Sequence, residues 1–155
     1  MQGQQSLYDT YSTDKQLETS QGVWLDFGPA KFHVKRAGGG NKKYQTLLRQ
    51  LTQPVRRQIA NETIDPEKLD LIFMQAYARS VVLDWENVTD RQGNILEYNE
   101  TNFIKVMTDL KDLWVALQAE CDRMANFRQT QNAEDGEALG NSLSGTSNGE
   151  ARLTT

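Results

Sequence analysis

The residue types best suited to chemistry crowd into one short stretch, Val81 to Asn94, "VVLDWENVTDRQGN". It holds three carboxylates, Asp84, Glu86 and Asp90, beside Trp85 and a Gly93-Asn94 turn. Such a cluster could hold a hard cation, and a calcium loop needs oxygen ligands at alternate positions with glycine at the sixth. Counted from Asp84, the third position is Glu86, but the fifth is Val88 and the sixth Thr89. Counted from Asp90, the third is Gln92 and the fifth Asn94, yet Gly93 falls at the fourth. Neither register supplies a ligand set. The stretch reads instead as a helix end followed by a turn, with Asp90 capping "DRQGN", Gly93 accepting positive φ and Trp85 folding back on the core. Val88 and Ile95 are the candidates to pair across that turn.

Nucleophilic chemistry has little to work with. The single histidine, His33, falls on the outer face of a predicted strand, and the single cysteine, Cys121, on the apolar side of a predicted helix. No serine stands in a G-x-S-x-G elbow. "AGGGN" at 37–41 has neither the phosphate-loop nor the dinucleotide-binding spacing and reads as a hinge. No catalytic, cofactor-binding or metal-binding residue is assigned, no cofactor is expected, and the chain is expected not to be an enzyme.

The elements that would position these residues follow from composition and period. A chain of 155 residues suits one core, and its formal charge of −4 suits a soluble protein better than a general nucleic-acid binder. Every Trp and Phe lies between Trp24 and Phe127, so the core belongs to the middle. One cysteine rules out an intramolecular disulfide. The N-terminus lacks a basic segment followed by an apolar one, and no apolar run is long enough to cross a bilayer, so a cytoplasmic location is expected.

Residues 1–20 are polar and read as a flexible arm, and 129–155, rich in Gly, Ser, Asn and Thr, as a disordered polar tail. Between them, 21–128 reads as a single α+β domain. Val23, Leu25 and Phe27, then Phe32 and Val34, alternate about a Gly-Pro turn and predict a β-hairpin over 23–36. Helices are predicted over about 42–59, kinked or split at Pro54, and over 66–83, 100–108 and 110–128. Asn41, Asp65 and Asn99 are the predicted caps, with Pro66 at a first helical position.

Charge is partitioned along the chain. Lys31, Lys35, Arg36, Lys42, Lys43, Arg49, Arg56 and Arg57 share a span without one acid, and acids dominate from Glu62 to Asp122. The two halves could dock on each other. Alternatively, Lys35, Arg36, Lys42, Lys43, Arg49, Arg56 and Arg57 form a basic face for self-association with an acidic face of another copy. The acidic half argues against nucleic acid, though the basic span alone could meet phosphates.

One pattern joins these pieces. "GVWLDFGPAKFHVKRAGGGNKKYQTLLRQL", "PVRRQI" and "AYARSVVLDWENVTDRQGNILEYNETNFIKVMTDLKDLWVALQAECDRMANF" together resemble the tail assembly chaperone family of long-tailed bacteriophages, from Gly22 to Phe127. The resemblance implies a non-enzymatic late protein of the infected host's cytoplasm. Such proteins bind the tape measure protein, help tail-tube subunits polymerise around it, and leave before the virion is finished. In many phages a longer frameshifted form shares this N-terminal part. A client groove would draw on hydrophobes that one helical stripe cannot bury, namely Leu71, Met74, Val82, Ile104, Met107, Trp114 and Val115, each of which could equally fill the core. The competing expectation is a structural virion component, such as a head–tail connector or tail-completion protein. No membrane partner is expected.

Overall fold

Alternating apolar residues build the sheet. In a computed structural model, which describes residues 5–128, β1 (Val23–Phe27) and β2 (Ala30–Val34) form the expected antiparallel hairpin. Val23 faces Val34, Leu25 faces Phe32 and Phe27 faces Ala30. A third strand, β3 (Val82–Glu86), then adds antiparallel to β2, giving the order β1-β2-β3. This corrects the helix expected to run to residue 83: the helix that starts at Pro66 ends at Ser80, and Val82 to Glu86 pair with β2 instead. Phe32 faces Trp85 and His33 faces Asp84, with an irregularity between His33 and Val34 that absorbs one residue. Lys35 donates from its backbone N–H to the Val81 carbonyl at 2.7 Å, which extends the pairing to the helix end. Strand hydrogen bonds thus outweigh the local helical period of "SVVLDW".

Helices cover one face of this sheet. In chain order they are α1 (Leu7–Tyr11), α2 (Lys15–Thr19), α3 (Lys42–Thr52), α4 (Arg56–Ala60), α5 (Pro66–Ser80), α6 (Glu100–Asp109) and α7 (Lys111–Asp122). Pro54 cannot donate a helical hydrogen bond, so α3 gives way to a 3-10 turn at Gln53–Val55 before α4. Asp65 caps α5 by accepting from the Glu67 N–H, and Asn99 caps α6 through Asn102. The core gathers Phe32, Val34, Met74, Tyr77, Trp85, Phe103, Met107, Trp114, Leu117 and Phe127. A chain of ring contacts, mostly edge to face, runs Tyr44–Tyr77–Trp114–Phe103–Trp85–Phe32 and ties α3 through to the sheet.

Two joints connect sheet and helices. Asn87, with a left-handed backbone (φ 60°), donates from Nδ2 to the Pro29 carbonyl and fixes the end of β3 to the β1–β2 turn. Asn41 is buried: its Oδ1 caps α3 by accepting from the Tyr44 N–H, and its Nδ2 donates to the carbonyls of Arg36 and Ser80 at 2.9 and 3.0 Å. Asn41→Ala removes the cap and leaves two carbonyls without that donor. Its expected cost is about 2 kcal/mol in unfolding free energy, read from the shift of the urea midpoint at unchanged slope.

The N-terminal segment departs from the flexible arm expected over 1–20. Asp14 caps α2, and its own N–H donates to the Phe127 carbonyl at 2.7 Å. Glu18 is fully buried against the "AGGG" loop. Polar composition alone concealed this, because a single buried charge anchors the segment in place of an apolar stripe. The expected tail, 129–155, lies outside the described residues. Among the described residues no helix is long and apolar enough to cross a membrane.

Candidate functional site

The structure disperses the residues that first suggested chemistry. Asp84 and Glu86 occupy exposed positions of β3, opposite His33 and Lys31. Asp90 is the turn cap that its sequence context predicts. Its Oδ1 accepts from the N–H groups of Gln92 and Asn94, both at 2.9 Å, and the bond from Asn94 leads those that hold its carboxyl below the usual range. The bridge across this turn is Thr89–Ile95, one residue away from the expected Val88–Ile95 pairing. Among the described residues no group of three or more His, Cys, Asp or Glu could hold a metal ion.

His33 stacks on Trp24 (4.8 Å between ring centres) on the outer sheet face, and its Nε2 lies 2.8 Å from the Gln21 carbonyl. Cys121 is buried in the core, where burial pushes its thiol pKa far up. Fold and chemistry therefore keep these two side chains apart. The "AGGGN" segment does receive an anion, but from within the chain. The Glu18 carboxylate accepts from Arg36 Nη1 (2.6 Å), Thr13 Oγ1 (2.8 Å) and the Gly40 N–H (3.2 Å).

What remains open is a groove. α3 presents Tyr44, Leu47, Leu48 and Leu51 at helical spacing, yet none of its residues is fully buried. α5 packs along it and contributes Leu69 and Phe73, and α4 closes one end with Ile59. Between them lies a space of about 520 Å³ with an apolar floor of Tyr44, Leu48, Ile59, Leu69 and Phe73. Gln45 and Thr52 add polar contacts, and Arg49 and Arg56 stand at the rim. An apolar trough with a few polar groups at its edge suits the side chains of a partner, because they can be desolvated there at little cost.

Arg49 and Arg56 make the rim positive. Lys42, Lys43 and Arg57 on the same helices are also exposed, and none of these five cations joins an ion pair with the described residues. Lys35 is half-buried, and burial followed by the nearby charge of Lys43 pulls its pKa down. Arg36 does not belong to this face, since Glu18 neutralises it at 2.6 Å.

The expected client residues divide. Leu71 (41% exposed) and Val115 (63%) are at the surface and Ile104 is half-buried. Met74, Val82, Met107 and Trp114 are core residues and cannot line an exposed groove. The reason is that α5 is covered by α3, α6 and β3 together, so it buries apolar residues well outside a single stripe. Sequence reasoning assigned no site to Tyr44, Leu48, Ile59, Leu69 and Phe73, because they fall on the apolar period of predicted helices. The usable signal was the apolar spacing of α3 and α4 in a span that also carries Arg49 and Arg56 and no acid.

Residues 39–138, roughly two thirds of the chain and including the whole groove, match the sequence family described as YdaY prophage protein. No curated protein and no solved structure matches the chain.

Proposed function

The chain belongs to the YdaY prophage protein family, and from that premise we propose that it is a non-catalytic phage tail assembly chaperone. It binds the tape measure protein, keeps that client's apolar helices soluble in the infected bacterium's cytoplasm, and assists assembly of the tail tube. The observation that carries this reading is the open apolar groove between α3, α4 and α5. A half-covered α3 exposes the surface through which an aggregation-prone helix can be held. The choice of client comes from the resemblance of Gly22–Phe127, read from the sequence, to tail assembly chaperones, and the prophage family match supports its phage origin only.

Co-expression with the tape measure protein of the same phage tests the proposal. The expected result is a larger soluble fraction of the tape measure protein and its co-purification with this chain. Failure both to bind and to solubilise the tape measure protein would overturn it. Mass spectrometry of purified virions adds a second check, because a chaperone should be absent from them. Stoichiometric peptides from this chain in mature particles would make it a structural virion component instead.

A further inference from the structure

We propose that the groove takes an amphipathic helix of a partner protein whose apolar face is flanked by acidic residues, with Arg49 and Arg56 pairing to those acids. The proposal rests on the reading above that the chain works by binding a protein partner, and it specifies the chemistry of that partner.

Shape argues for a helix. The trough is walled by two packed helices, and the complementary object for such a trough is a third helix whose ridge of side chains fills it. Its anchors would repeat at i, i+3, i+4 and i+7 along one face. Phe73 and Leu48 on the floor supply the apolar contacts.

Charge argues for acidic flanks. No Asp or Glu is among the residues that line the groove, and its α3 and α4 side comes from a span, Asp26 to Glu62, with no acid inside it. The cations that do find partners lie elsewhere, among them Arg36 on Glu18, Arg79 on Glu100 and Lys111 on Asp70. A helix with basic flanks would be repelled by Arg49 and Arg56 at the groove, whereas an acidic one would pair with them. Pairs at an exposed rim are individually weak and act chiefly on selectivity and association rate.

The test uses the full chain and two synthetic helical peptides with the same Leu/Phe face, one flanked by Glu and the other by Lys. Fluorescence anisotropy should show the Glu-flanked peptide binding about tenfold more tightly, with the gap shrinking as salt is raised. Arg49→Glu with Arg56→Glu should reverse the preference, and their exposure allows the fold to persist, as circular dichroism would verify. Leu48→Gln should weaken both peptides. Equal binding, a preference for Lys, or a preference that survives the double reversal would overturn the proposal. So would a short DNA oligonucleotide that displaces the Glu-flanked peptide, or conversion of a self-associated chain to monomer by the double reversal with peptide binding unchanged. The two readings fail separately. Binding of the Glu-flanked peptide without capture of the tape measure protein would sink the chaperone proposal alone. Capture undiminished by the double reversal would sink the groove assignment alone.

Discussion

Trp85→Ala is expected to lower the unfolding free energy by about 4 kcal/mol, the largest effect of any single substitution considered for this chain. The indole is buried where sheet and helices meet. It packs against Phe32 (5.7 Å between ring centres), Tyr98 (5.2 Å) and Phe103 (6.4 Å). Its Nε1 donates to the Leu96 carbonyl at 2.9 Å and so pins the strand that returns from the Asp90–Gly93 turn. Truncation would leave a cavity lined by three rings and also release that strand. Trp85→Phe separates the two contributions, because it retains most of the apolar bulk and loses only the donor. Its expected cost is nearer about 1–2 kcal/mol. Urea titration measures both, and faster amide exchange at Leu96 should accompany either. A loss below about 1 kcal/mol for the alanine variant would contradict the packing assigned to this side chain.

The second large effect is expected at Glu18. Its carboxylate is fully buried and takes hydrogen bonds from Arg36, Thr13 and Gly40, with Lys15 Nζ at 3.6 Å. Glu18→Ala would leave the largely buried Arg36 guanidinium with only the exposed Asp122 carboxylate, 3.9 Å away, at a cost of about 3 kcal/mol. Glu18→Leu combined with Arg36→Met should recover much of the loss, since an apolar pair incurs no charge-burial penalty. Gly39→Ala attacks the same contact from the loop. At φ 52° an added Cβ would stand 2.7 Å from Glu18 Oε2, so the buried carboxylate would have to shift from its partners.

The same pair predicts a pH dependence. Burial pushes the Glu18 carboxyl up, but the hydrogen bonds from Arg36, Thr13 and Gly40 and the charge of Lys15 outweigh it, and the group ends below 4.5. A folded-state value below the unfolded one means that the contribution is complete above about pH 4.5 and disappears as pH falls through the lower folded value. Thermal melts of the native chain should therefore lose stability below that point. The Glu18→Leu, Arg36→Met chain should lose less over the same range.

The ease with which each element could be read tracks how local its determinants are. The β1–β2 hairpin was legible because Val23, Leu25 and Phe27 alternate up to a turn at Gly28-Pro29. The start of α5 was legible because Asp65, Pro66 and Glu67 satisfy the first turn without distant help. β3 was not, because "VVLDW" continues the apolar rhythm of α5, and only the free edge of β2 makes it a strand. α2 was hidden for the opposite reason. Its anchor is one carboxylate whose partner, Arg36, lies 18 positions further along.

By itself, the sequence determined the hairpin, the capped helices, the Asp90 turn and the failure of its carboxylates to match a calcium loop. All of these depend on residues within a few positions of one another. Only the tertiary structure decided which apolar residues stay at the surface. Periodicity marks the apolar side of a helix, whereas the number of neighbours on that side sets its burial. α5, covered by α3, α6 and β3, hides Met74, while α3, which packs mainly on α5, leaves Leu48 facing an open groove.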